Sequence, residues 1–156
     1  MGGSFRTNVW DPVLIVSQIA ALQCVMYLSL GFWTVVLHLI TGQHLSLDYF
    51  FKYQEVGVKD ISGRLVISSF ILNSIICSLA LWTLVQRTKL CLDFTVTAHF
   101  VHVIICFFYN SALATNASWW VLQLVCVVIT CVLGEFLCLR SEMKAIPLGL
   151  TSRVDL

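Results

Sequence analysis

Four long apolar runs constrain this chain more than any other feature. They extend from Val13 to about Trp33, from Leu65 to Val85, from Phe94 to about Ala112 and from Trp119 to Leu139. Each reaches, or comes close to, the about 17 to 25 residues that a helix needs to cross a hydrocarbon core about 30 Å thick. Backbone groups inside such a core must bond within their own segment, so runs of this length are read as helices. With 59% hydrophobic and 11% charged residues among 156 and a mean hydropathy of +0.92, a water-soluble fold of this size could not hide the apolar surface. The sequence therefore predicts an all-α membrane fold. It is a single domain over 1–156, an antiparallel bundle of four transmembrane helices with short loops, in which 140–156 form a tail.

The tryptophans support these boundaries independently, because Trp10, Trp33, Trp82, Trp119 and Trp120 all fall at span ends, where an indole prefers the headgroup region. The first run stays apolar as far as Ile40, so that helix either tilts strongly or ends near Gly31, with Thr34–Ile40 at the interface; Trp33 favours the second arrangement. This run is too long for a signal-peptide core and lacks an Ala-x-Ala site, so it is expected to stay as an uncleaved anchor. Arg6 stands where a myristoylation pattern wants Ser or Thr. Arg6, Arg87, Lys89, Arg140, Lys144 and Arg153 flank one side of the spans, and Lys52, Lys59 and Arg64 the other. The excess puts both termini and the Arg87–Lys89 turn in the cytosol. The 41–64 connection then faces the lumen, and Leu45, Leu47, Tyr49, Phe50, Phe51 and Tyr53 give it the character of a short interfacial helix. The Asn116-Ala117-Ser118 sequon shares that side but abuts Trp119 and Trp120, too close to the membrane for ready glycosylation.

A formal net charge of +1 and a pI of about 7.6 provide no basic face for nucleic acid. The seven cysteines have no CxxC spacing and lie in or beside apolar runs, which argues against a disulfide framework or a zinc module. His99, His102 and Cys106 share one helix stripe, but no second span offers a matching histidine pair, so neither a metal nor another cofactor is expected. Glu135 is the one acid well inside a span, where an unpaired charge costs at least about 2.5 kcal/mol, so it needs a partner. Counted in from the cytosolic edge, His99 lies at similar depth, which predicts a Glu135–His99 contact, with Arg140 the alternative partner. Gln18, Gln23, Asn73 and Gln123, with the small residues Ser17, Ser29, Gly31, Ser74 and Ser78, read as the ordinary glue of a bundle. Cys91 and Cys138 lie where palmitoylation occurs, though two apolar interface thiols are the plainer reading; the Val154-Asp155-Leu156 end could fit a PDZ-type groove.

Several motifs together resemble the Sys family of eukaryotic Golgi trafficking proteins. They are Phe5-Arg6 with Trp10-Asp11-Pro12, Ser17-Gln18-Ile19, Ser29-Leu30-Gly31, Gly63-Arg64-Leu65 and Ser69-Phe70-Ile71-Leu72-Asn73. The densest block is Cys91-Leu92-Asp93-Phe94-Thr95-Val96-Thr97 with His99, Phe100 and His102, followed by Trp119-Trp120, Gln123, Gly134-Glu135 and Ile146-Pro147-Leu148. The resemblance implies a multi-pass trans-Golgi membrane protein that recruits an ARF-related small GTPase. No cytosolic segment is long enough to fold alone, so such a partner would dock on a composite rim. That rim would comprise Arg6, Trp10, Asp11, Arg87, Lys89, Asp93, Arg140, Glu142 and Lys144. A different reading makes His99, His102 and Glu135 the working cluster of a small transporter or membrane enzyme. The missing nucleophile–base pair and the lack of a continuous polar path weigh against it. Homo-oligomerisation is left open by the sequence.

Overall fold

The computed structural model describes residues 11–145. Among them are α1 (Pro12–Thr41), the short α2 (Asp48–Phe51), a 3-10 turn (Tyr53–Glu55), α3 (Ile61–Leu84), α4 (Thr88–Asn110) and α5 (Ala117–Ala145), with no strand among the described residues. Four of these helices, α1, α3, α4 and α5, are long and apolar enough to cross a membrane.

Local chemistry sets the ends of α1. The Asp11 carboxylate accepts the N–H groups of Val13 (3.0 Å) and Leu14 (3.3 Å), and Pro12 occupies the first turn, where its missing N–H costs nothing. Gly42 closes the helix in the left-handed region, with φ of 68°. Between them the helix is continuous, so it does not end near Gly31. Thr34 and His38 are buried instead of lying at an interface, because the 41–60 loop folds back over them.

The α3 and α5 helices run side by side in the same direction. Cys126 Sγ faces the Phe70 carbonyl at 3.7 Å and Thr130 Oγ1 donates to the Ser74 carbonyl at 3.3 Å, the same offset in each case. Ser69, Ser74, Ser78 and Ala80 keep the buried face of α3 small, and Gly134 admits the Leu81 side chain, whose Cδ1 would lie 3.0 Å from an added Cβ. Beyond that pair, α1 packs on α3 and α4 on α5. Consecutive spans are antiparallel, but α3 and α4 lie across the bundle diagonal and meet only through long side chains, so the 85–87 turn crosses the end of the bundle.

Two apolar layers result. One, toward the loop end, holds Leu30, Val66, Phe70, Trp119, Leu122 and Cys126; the other, toward the turn end, holds Leu22, Leu81, Val85, Phe94 and Ala98. The short helix expected between spans 1 and 2 is present as α2. It is folded into the loop end: Tyr49 stacks on His38 with centroids 4.7 Å apart, and Phe51 reaches the rings of Tyr27 (6.0 Å) and Tyr109 (5.1 Å). Asn110 donates to the Phe51 carbonyl (2.7 Å), and Asn116 donates to those of Tyr53 (3.2 Å) and Val56 (2.8 Å). The sequon asparagine thus has its amide engaged with the loop.

Candidate functional site: an intramembrane polar layer and a charged rim

Between the apolar layers lies a layer of polar side chains drawn from all four spans. Gln23 of α1 donates to the Ala98 carbonyl at 2.8 Å, and Tyr27 sits 3.1 Å from Nδ1 of His102. His102 is only 1% exposed; its Nε2 faces Cys106 Sγ at 3.5 Å, and the rings of Phe51 and Phe70 close around it. Both ring nitrogens therefore already have neighbours. His99 places Nδ1 3.2 Å from Oε1 of Gln123. No three His, Cys, Asp or Glu side chains among the described residues converge as a metal site.

The expected Glu135–His99 contact does not form. Gln123 takes His99, and the Glu135 carboxylate accepts instead from Cys131 Sγ, one turn back on its own helix, at 3.5 Å. The depth count itself was wrong: Glu135 stands twelve residues beyond Gln123 on α5, about 18 Å along the axis, and Cys138 just past it faces Cys91, so Glu135 lies well toward the turn end from His99. His99, His102 and Glu135 are therefore a histidine pair and a separate carboxylate. Arg140 makes no ion pair with Glu135 either; the ion pair formed among the described residues is Lys52–Asp48, at 2.7 Å.

The turn end gathers the described part of the charged rim. Gln18 donates to the Leu84 carbonyl at 2.8 Å, tying the start of α1 to the last turn of α3. Glu142 reaches across to α4, where Oε1 accepts from the Thr88 N–H (3.1 Å) and Oε2 from the Thr88 hydroxyl (3.0 Å). A carboxylate there caps the otherwise unpaired N-terminus of α4 and meets the positive end of its dipole. Two rim residues thus have structural duties, Asp11 as the cap of α1 and Glu142 as the cap of α4. Arg87, Lys89, Asp93, Arg140 and Lys144 are exposed. Arg140 and Lys144 flank Glu142 by two residues each, which turns both away from α4. Arg6, Trp10 and the Val154-Asp155-Leu156 end lie outside the described residues. Cys91 and Cys138 face each other, Sγ to Sγ at 3.5 Å, with neither exposed, so neither thiol presents itself for palmitoylation.

Sequence reasoning missed Tyr27, Asn110 and the Glu142–Thr88 cap. For Tyr27 a signal was available: a tyrosine in mid-span, away from the interfacial belt, needs a partner for its hydroxyl.

The family model described as "Integral membrane protein S linking to the trans Golgi network" matches residues 5–148. A relative named Protein SYS1 homolog from Nematostella vectensis is 47% identical over 146 residues, covering 94% of this chain and 92% of its own. The Protein SYS1 homolog of Dictyostelium discoideum is 38% identical over 92% of this chain and 62% of its own. Protein SYS1 of Saccharomyces cerevisiae is 26% identical over 90% and 69%. No solved structure matches. With the match running through both caps, all four spans and the polar layer, this chain belongs to the SYS1 family of integral membrane proteins linked to the trans-Golgi network.

Proposed function

We propose that this protein is a docking receptor of the trans-Golgi membrane, with both termini in the cytosol, and that it recruits an ARF-related small GTPase rather than catalysing a reaction. The observation that carries the reading is the asymmetry of the two ends. The loop end is filled by its own aromatic residues and held by Asn110 and Asn116, whereas the turn end gathers exposed Arg87, Lys89, Asp93, Arg140 and Lys144. The basic excess at that end supports its cytosolic placement. A soluble partner meeting short segments needs a composite surface, in which charges govern encounter and orientation and an aromatic side chain such as Trp10 supplies the anchor.

The test leaves every basic residue in place, so that topology is preserved. Trp10→Ala combined with Asp93→Asn is expected to leave the chain in the Golgi while the GTPase fails to reach the membrane. Normal GTPase recruitment in cells carrying only that double variant refutes the rim. Asp11 and Glu142 are left intact because changing either would perturb a helix terminus.

A further inference from the structure

We propose that the narrow cavity among α1, α3, α4 and α5 is a binding site for one water molecule, held between Gln123 and Asn73 in the middle of the bundle. Its polar lining is Asn73 and Ser74 of α3, His99 and His102 of α4, and Gln123 of α5, and Met26 and Leu30 of α1 close its apolar side. The space open to the centre of a water-sized sphere is about 10 Å³, close to the least that one water requires.

The observation that points to a ligand is Nε2 of Gln123. The residue is 5% exposed, its nitrogen is fully buried, and no acceptor lies within hydrogen-bond reach. Turning the amide over does not remove the problem, because one end meets His99 Nδ1 and the other is left over whichever way it points. A ligand at that end must therefore either accept or donate as needed, and it must fit a cavity of this size. Water does both. Opposite it, the Asn73 amide offers both polarities; its Oδ1 is 3.9 Å from Cys77 Sγ, a weak contact. The Ser74 hydroxyl donates to the Phe70 carbonyl and retains lone pairs to accept. Three polar neighbours meet the usual requirement of a buried water. A metal ion is the poorer occupant, since the cavity's histidines and cysteines do not converge as ligands. The site has a structural consequence: α3 and α4 meet through apolar and ring contacts such as Phe70 on His102, and a water shared by Asn73 and the His99–Gln123 pair adds a polar link across the bundle diagonal.

The full chain, reconstituted in perdeuterated lipid, tests this by water-edited solid-state NMR with labelled glutamine side chains and leucine backbone amides. Gln123→Met identifies the Gln123 amide signal by its loss. Magnetisation is expected to pass from water to the Gln123 amide at short mixing times. The backbone amide of Leu22, buried and bonded within α1, is the dry control and is expected to stay dark; the Gln23 amide is unsuitable, because its own Oε1 is buried without a partner. Asn73→Leu, which fills the cavity, should abolish the transfer while the Gln123 signal persists. A Gln123 amide as dark as the Leu22 backbone amide in the unaltered protein overturns the proposal without reliance on any variant. Transfer that survives Asn73→Leu overturns the site as drawn.

Discussion

Gly63 sits in the first turn of α3, where the loop backbone crosses directly over it. A Cβ there would overlap the Gly57 carbonyl oxygen and lie 2.8 Å from the Gly57 nitrogen and 2.9 Å from its carbonyl carbon. All three atoms are backbone, so no side-chain rotation relieves the clash. Overpacking of this kind costs about 1–3 kcal/mol, and backbone obstacles place Gly63→Ala toward the upper end. Against this stands a gain of about 0.5–1 kcal/mol from replacing a helical glycine. The net expectation is a loss of about 2 kcal/mol, or about 4 °C or more in the unfolding midpoint of a domain this size. Gly134→Ala is the internal control, because the atom it meets is the far end of the flexible Leu81 side chain. Thermal unfolding of both variants in one detergent should show Gly63→Ala well below Gly134→Ala. If Gly63→Ala melts at or above the parent, the 56–60 segment does not lie against α3 as described.

Two further predictions concern the ends of the bundle. Glu142→Ala removes the cap that α5 supplies to Thr88, and should lower stability by about 1 kcal/mol in detergent unfolding, with Glu142→Gln keeping part of it. At the loop end, hydrogen bonds from Lys52 and Tyr109 hold the Asp48 carboxyl below the usual carboxylate range, and Asp48 in turn raises Lys52. A depressed carboxyl contributes stability above its unfolded pKa of about 4 and loses it on acidification, while a raised lysine contributes below about 10.5 and loses it on alkalinisation. The two describe one interaction, so the advantage of the parent over Asp48→Asn should be present between those limits. It should fade below and above them in a pH series of unfolding midpoints.

The spans were legible in the sequence because their signal is additive: length, hydropathy and tryptophan placement each mark the same boundaries without reference to neighbouring helices. The polar partners were not. Which residue meets His99 depends on the register of α5 against α4, and counting inward from assumed span ends put Glu135 at the wrong depth, opposite His99 instead of nearer Cys91. The end of α1 failed for a related reason. Gly31 and Trp33 look like a boundary in isolation, but the helix continues because residues 49–56, distant in sequence, cover Thr34 and His38 and give the extra turns something to bury against. Asp11 and Glu142 were legible as charged rim residues, yet their first duty is to satisfy helix N-termini, a role visible only once Val13 and Thr88 are placed.

The polar layer also bears on how the chain can work. Most of its groups face one another, the ends left over being Gln23 Oε1 and Gln123 Nε2. His102 is enclosed by Tyr27, Cys106 and two phenyl rings; His99 is paired with Gln123; Gln23 is bonded to a backbone carbonyl. These bonds orient helices that apolar contact alone would leave free to slide, because lipid tails satisfy leucine as well as a neighbouring span does. The need is greatest for α1, the least buried of the four spans, and it is α1 that is tied at three depths, through Gln18, Gln23 and Tyr27. Those ties fix where α1 begins beside α3, and hence where Asp11 stands relative to Arg87 and Lys89. That fixed spacing is how a buried polar layer can shape a composite surface at the membrane face.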